Sequence, residues 1–141
     1  MAQPTPGAVL TDRDYARLLA IRTRLRVFES WSADRAAGLG LTAAQHQLML
    51  AVRGHHDGRG PTIGEVADYL LLKHHSTVEL ANRTQELGLI KRSHDAHDHR
   101  VVRLTLTGEG RKVLRALSAA HLEELQRLVP VLTNALAELS D

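Results

Sequence analysis

The chain has 141 residues, an ordinary hydrophobic share of 43% and a net charge of +2, so it can bury one real core and is not wholesale disordered. It contains no cysteine, which excludes disulfides, thiolate zinc sites and cysteine redox switches. No apolar run is long enough to cross a bilayer, and the opening MAQPTPGAVL lacks the basic start and apolar stretch of a secretory leader, so a cytoplasmic protein without a membrane partner is expected.

Residues 1–10 read as a flexible Pro/Gly tail. Thr11-Asp12 can cap a helix running to about Gly38, with Tyr15, Leu18, Leu19, Leu25 and Phe28 recurring at helical spacing. LTAAQHQLML follows, and Thr42 with Gln45 three residues on predicts a capping box that opens a second helix ending near Arg53. GHHDGRGP is a loop by its Gly and Pro content. Thr62 with Glu65 predicts a second capping box and a short helix over TIGEVADYLL. After a break near Leu72-Lys73, another helix runs from about His75 to Leu87, ended by Gly88. Strands are expected from Leu89 to Arg92 and from Val101 to Leu106, with a charged tip between them. Thr107 can cap a long helix to about Val129. Pro130 is expected to interrupt it, leaving a sixth helix from Val131 to Leu139.

The expected fold is mainly α with a small β-hairpin wing, an α+β winged helix-turn-helix flanked by further helices. The whole of 1–141 reads as one domain. Residues 41–106 would form the winged region, and 11–40 with 107–141 the flanking helices. The flanking helices carry more apolar surface than one short helix could cover, with positions among them Val113, Leu117, Leu125, Leu132 and Leu139, which predicts a partner chain.

Charge is unevenly placed. From Lys73 to Arg115 there are nine Lys/Arg against five Asp/Glu, a local +4, together with five of the nine histidines. Such a face fits a polyanion. A helix ~10–12 Å across fits a major groove ~12 Å wide, and a hairpin beside it can reach the flanking backbone or minor groove. On the second helix of the pair, Lys73, His74, His75, Ser76, Thr77, Glu79, Asn82 and Arg83 are expected to face outward, and Val78, Leu80, Ala81 and Leu87 inward. Ser76, Thr77, Asn82 and Arg83 can donate to phosphates or base edges.

Four segments carry a resemblance to a known family: LTAAQHQLML at 41–50, TIGEVADYL at 62–70, HSTVELANRTQELGLIKR at 75–92, and HDAHDHRVVRLTLTGEG at 94–110. In that order and at that spacing the chain, from about Asp12 to Leu139, resembles the MarR family of bacterial transcriptional regulators. The resemblance implies a homodimer whose first, fifth and sixth helices interlock. Its two recognition helices would read a pseudo-palindromic operator in double-stranded DNA. It implies that Arg100, at the wing-tip position of Asp-x-x-Asp-x-Arg, enters the minor groove, with Asp98 holding its guanidinium. His97 and His99 stand where the family often carries arginines. A small aromatic or lipophilic ligand is implied between the dimer helices and the winged domain, with Trp31, His46, Met49 and Arg53 as lining residues. Trp31 and Met49 read more simply as core. The expected role is a repressor that such a ligand releases.

Other classes fit less well. His94-x-x-His97-x-His99 and the pairs His55-His56 and His74-His75 have zinc-compatible spacing, which keeps a metal-responsive regulator as an alternative. A mobile, solvated tip with no cysteine argues against that site, and no metal or cofactor is expected. A winged-helix module for protein–protein assembly is a second alternative. No enzyme is expected. There is no glycine-rich phosphate loop or nucleophile elbow, and Ser76 neighbours His74 and His75 in sequence only.

Overall fold

The computed structural model describes residues 7–137. It contains five helices and one hairpin among them: α1 (Asp12–Ala37), α2 (Ala43–Gly54), α3 (Ile63–Leu70), α4 (His74–Glu86), β1 (Ile90–His94), β2 (Val102–Leu106) and α5 (Gly108–Ala137). The chain forms two compact units. Ser32–Ala120 is the winged unit. The second unit comprises the residues up to Trp31 and those from His121 onward. These divisions differ from the boundaries at 40/41 and 106/107 that punctuation suggests. The reason lies in the core of the winged unit, which takes Ala36 from the end of α1 and Leu114 and Leu117 from the start of α5.

Both capping boxes form. Thr42 Oγ1 accepts from the Gln45 amide at 3.1 Å, and Gln45 Oε1 accepts from the Thr42 amide at 2.9 Å. The Thr62–Glu65 pair repeats this at 3.2 and 3.1 Å. Each box satisfies two donors that a helix start would otherwise leave orphaned. Helices α2, α3 and α4 then close around Leu48, Met49, Val66 and Ala81, all fully or nearly fully buried. The antiparallel hairpin pairs Ile90 with Leu106 at its base and His94 with Val102 near its tip. It packs Ile90 and Leu104 into the same core. On the far side of β2, the Leu104 amide donates to the Pro61 carbonyl at 2.8 Å, and Thr62 bridges Arg103. Gly60 makes this approach possible. A Cβ there would stand 2.0 Å from the Leu104 carbonyl oxygen, and its φ of +93° suits glycine.

Four expectations change. Pro130 does not end its helix, and α5 runs through it to Ala137. Pro130 removes one amide donor, but it and Gln126, whose carbonyl loses that partner, are both exposed, so solvent can satisfy the carbonyl. The sixth helix is therefore the end of α5, and its expected close at Leu139 lies outside the described residues, as do residues 1–6 of the tail. On α4, Thr77 faces inward rather than outward. It shares a face with Ala81 and Thr84, all at 0% exposure, and its hydroxyl donates to the Lys73 carbonyl at 3.0 Å. Leu87, expected inside, sits beyond the last turn and is 50% exposed. β1 lies one to two residues nearer the tip than expected, and β2 begins one residue later, at Val102.

In the second unit, Trp31 lies 5.9 Å from Phe28 and 4.8 Å from His121, ring centre to ring centre. Tyr15, Leu18 and Leu19 on α1 and Leu122 and Val129 on α5 are exposed in the single chain.

The turn between α3 and α4 carries a strained residue. Leu71 caps α3 in the left-handed region at φ 55°, with its side chain 91% exposed. Left-handed backbone costs a branched residue ~1–2 kcal/mol, whereas glycine adopts it freely at an unfolded-state cost of ~0.4–1 kcal/mol. Leu71→Gly should therefore raise unfolding stability by roughly 0.5–1 kcal/mol in urea melts at fixed protein concentration. A loss of stability would mean that this side chain packs against a partner after all.

Candidate nucleic-acid interface

Helix α4 begins at Lys73, its N-cap, which makes no side-chain cap bond. Lys73, His74 and His75 are exposed at that end, Ser76 is half-buried, and Glu79, Asn82 and Arg83 are exposed farther along. Thr77 leaves this set because its hydroxyl is buried and already spent on the Lys73 carbonyl. Asn82 is not free to pivot. Its Oδ1 accepts from Arg92 Nη2 at 2.7 Å, and Arg92 Nη1 also donates to Gln85 Oε1. Arg92 thus buttresses the exposed face of α4 from β1. Its position in GLIKR gives no hint of this, because the pairing depends on how the strand packs on the helix.

The wing tip is organised by Asp95, a residue whose role the sequence reading missed. Its side chain is 6% exposed. Oδ1 accepts from the amides of His97 (2.8 Å) and Asp98 (3.2 Å), an Asx-type turn, and its own amide donates to the Val101 carbonyl at 2.8 Å. Oδ2 accepts from Arg103 Nε at 2.6 Å, and Arg59 Nη1 stands 3.6 Å away. Arg103 Nη1 in turn donates to the Gly60 carbonyl at 3.0 Å. Arg59 is held by Asp57 at 2.7 Å. A chain of alternating charges therefore ties the tip to the α2–α3 loop. The available signal was the first Asp of Asp-x-x-Asp, whose spacing to the next two amides suits an Asx turn.

On this base sits the pair that the sequence singles out. Arg100 Nε and Nη2 donate to Asp98 Oδ1 and Oδ2, each at 3.1 Å, and the Arg100 amide also donates to Oδ1 at 3.1 Å. The Arg100 side chain is 91% exposed. The Arg100 guanidinium first, and its amide second, hold the Asp98 carboxyl below the usual carboxylate range. An exposed, forked and pre-oriented guanidinium can enter a groove or meet a phosphate. His97 and His99 flank it and are exposed, and His94 Nδ1 donates to the His99 carbonyl at 2.8 Å. Among the described residues no three His, Cys, Asp or Glu side chains converge as a metal site would require.

Residues 39–101 match the family model described as MarR family. The winged region is similar to the MarR family. Solved structures extend the likeness in fold to the rest of the chain. The MarR-family transcriptional regulator AbsC from Streptomyces coelicolor superimposes with a TM-score of 0.75 at 17% identity, covering 94% of this chain and 90% of that one. MepR from S. aureus, in complex with DNA, gives 0.69 at 21% identity over 94% and 92%. CouR from Rhodococcus jostii, bound to p-coumaroyl-CoA, gives 0.68 at 19% over 77% and 74%. No curated protein sequence matches the chain significantly. The MarR family is one of transcriptional regulators rather than enzymes. No helix among the described residues is long and apolar enough to cross a membrane.

The four residues expected to line a MarR-type ligand pocket fall in different surroundings. Met49 is fully buried in the core of the winged unit and His46 nearly so. Arg53 is exposed near the end of α2. Trp31 belongs to the other unit, in its cluster with Phe28 and His121.

The Asp95 anchor has an acid limit. Hydrogen bonding to Arg103 first, then to the His97 amide, lowers its carboxyl to about 2. An unfolded aspartate titrates near ~3.9, so the stabilisation is complete above that value and is lost as pH falls from about 4 toward 2. Urea midpoints should drop over that interval in the wild type. In Asp95→Asn the midpoint should be lower at neutral pH and change less on acidification. Superimposable profiles for the two proteins would deny Asp95 this role.

Proposed function

We propose that the protein is a homodimeric, sequence-specific DNA-binding regulator. It would repress from a pseudo-palindromic operator and be released by a small aromatic or lipophilic ligand in the cytoplasm. The observation that carries this reading is the Asp98–Arg100 fork, displayed at 91% exposure on a tip that Asp95 fixes from below. A guanidinium held in this way enters a narrow minor groove without first losing the freedom of a long side chain. Lys73, His74, His75, Ser76, Asn82 and Arg83 would face the major groove and its phosphates, with Arg92 steadying Asn82. The crystal structure of a similarly folded protein, MepR, as a DNA complex supports the DNA reading, and that of CouR with p-coumaroyl-CoA supports a ligand.

The exposed apolar positions of α1 and α5 support the dimer, since two-fold operators need two reading heads. Sedimentation at micromolar concentration without DNA should give a species of twice the 15.5 kDa chain mass. A 15.5 kDa species alone under those conditions would remove the basis for paired half-sites.

Arg100→Ala should weaken binding to an operator selected from a random duplex pool by more than tenfold at fixed salt, with the dimer unchanged. Fluorescence anisotropy reads the affinity. Wild-type affinity in the variant would sink the assignment of the wing tip.

A further inference from the structure

We propose that the winged unit holds a site for a small oxyanion, in the pocket between the α2–α3 loop and the outer edge of β2. The pocket has a volume of about 300 Å³, at the small end for ligand sites. Val52, Leu104 and Leu106, all buried, are among its lining residues. Two cations line it, Arg53 from α2 and Arg111 from the first turn of α5. Both are exposed, and neither has an ion-pair or hydrogen-bond partner through its side chain among the described residues.

The one carboxylate in the lining, Asp57, is already taken by Arg59, whose Nε and Nη2 donate to it at 3.1 to 2.7 Å. Thr105 lines the pocket too, and its hydroxyl is buried with no hydrogen-bond partner among the described residues. The Leu104 amide donates outward to Pro61, so strand alternation turns the Leu106 amide to the same side, past the point where residues 60–62 leave the edge. Two unpaired guanidiniums and no free carboxylate select an anion. The small volume selects a compact one, such as free phosphate or a short carboxylate.

This pocket is separate from the proposed DNA face. It lies at the base of the hairpin, where Leu106 opposes Ile90, whereas the tip begins beyond His94 and Val102. Along β2 the lining runs from Leu106 to Leu104, which stops two residue steps, about 7 Å at ~3.4 Å each, short of Val102. Of the four residues that the family resemblance assigned to a ligand pocket, Arg53 lines this one, whereas Trp31, His46 and Met49 do not.

The test uses the full chain, isotopically labelled, in chloride buffer at constant ionic strength. Inorganic phosphate and, separately, acetate are titrated while backbone amide shifts are followed. At least one of the two should give saturable shifts at Gly58, Gly60, Thr105 and Leu106 with a millimolar dissociation constant. The tighter of them identifies phosphate or carboxylate as the preferred head group. Arg53→Gln combined with Arg111→Gln should weaken that binding at least tenfold with the remaining spectrum, and operator affinity, unchanged. The double Lys variant should retain part of the binding. Non-saturating shifts for both anions, equal binding in the Gln variant, or saturation centred on α4 and the wing tip would each overturn the proposal. A loss of operator affinity in the Gln variant would also overturn it, by making the two arginines DNA contacts. Failure of DNA binding in the wild type would leave the pocket result standing, so the two readings fail independently.

Discussion

The wing of this protein depends on one carboxylate. Asp95 accepts from two amides of its own turn and from Arg103, and Arg103 carries the tie on to the Gly60 carbonyl. A two-stranded hairpin alone is marginal in water. Here the hairpin gains its rigidity from this junction and from the apolar face that Ile90 and Leu104 turn into the core. Because Asp95 is nearly buried and fully engaged, the next acid along, Asp98, is left to act on Arg100 alone. Two aspartates three residues apart thus do different work, one facing the protein and one facing outward.

The outward pair adds little to stability. Exposed ion pairs contribute ~0–1 kcal/mol, and this one is screened by salt. Its effect is geometric. Two hydrogen bonds from the guanidinium, with a third from the Arg100 amide to the same carboxylate, fix a side chain that would otherwise sample many rotamers. The same holds for Asn82, which Arg92 fixes from the neighbouring strand. The interface is therefore pre-ordered at its tip and along one edge of α4, while Lys73, His74 and His75 extend into solvent at the helix start.

Local chemistry explains which of these features the sequence made legible. Thr42 with Gln45, Thr62 with Glu65 and Gly88 mark helix ends through bonds three or four residues long, and each was found where the spacing put it. The Asp98–Arg100 pairing is equally local. The features that escaped are those decided by packing. Thr77 turned inward because a threonine hydroxyl can return to the carbonyl four residues back and present its methyl to the core, so a polar label misled. Leu87 lost its core position because α4 stops one residue before it. Pro130 failed to break α5 because the segment is exposed on the side that loses its hydrogen bond. Asp95 reads like any loop acid until Arg103, eight residues on, and Gly60, in a different segment, come into place.

The junction at Gly60 also sets an order of assembly. The Arg103–Gly60 hydrogen bond spans 43 positions, whereas the hairpin itself closes between Ile90 and Leu106. Closure entropy rises with the logarithm of loop length, so the hairpin and the α3–α4 pair are the cheap local pieces and the docking of residues 60–62 onto β2 is the expensive one. It is also a contact between backbones, with no side chain at Gly60 to guide it. The same seam is then the natural place for partial opening. If residues 57–60 lift from β2, the wing loses its anchor and the cavity behind it loses a wall, while the helical core around Leu48 and Val66 stays closed.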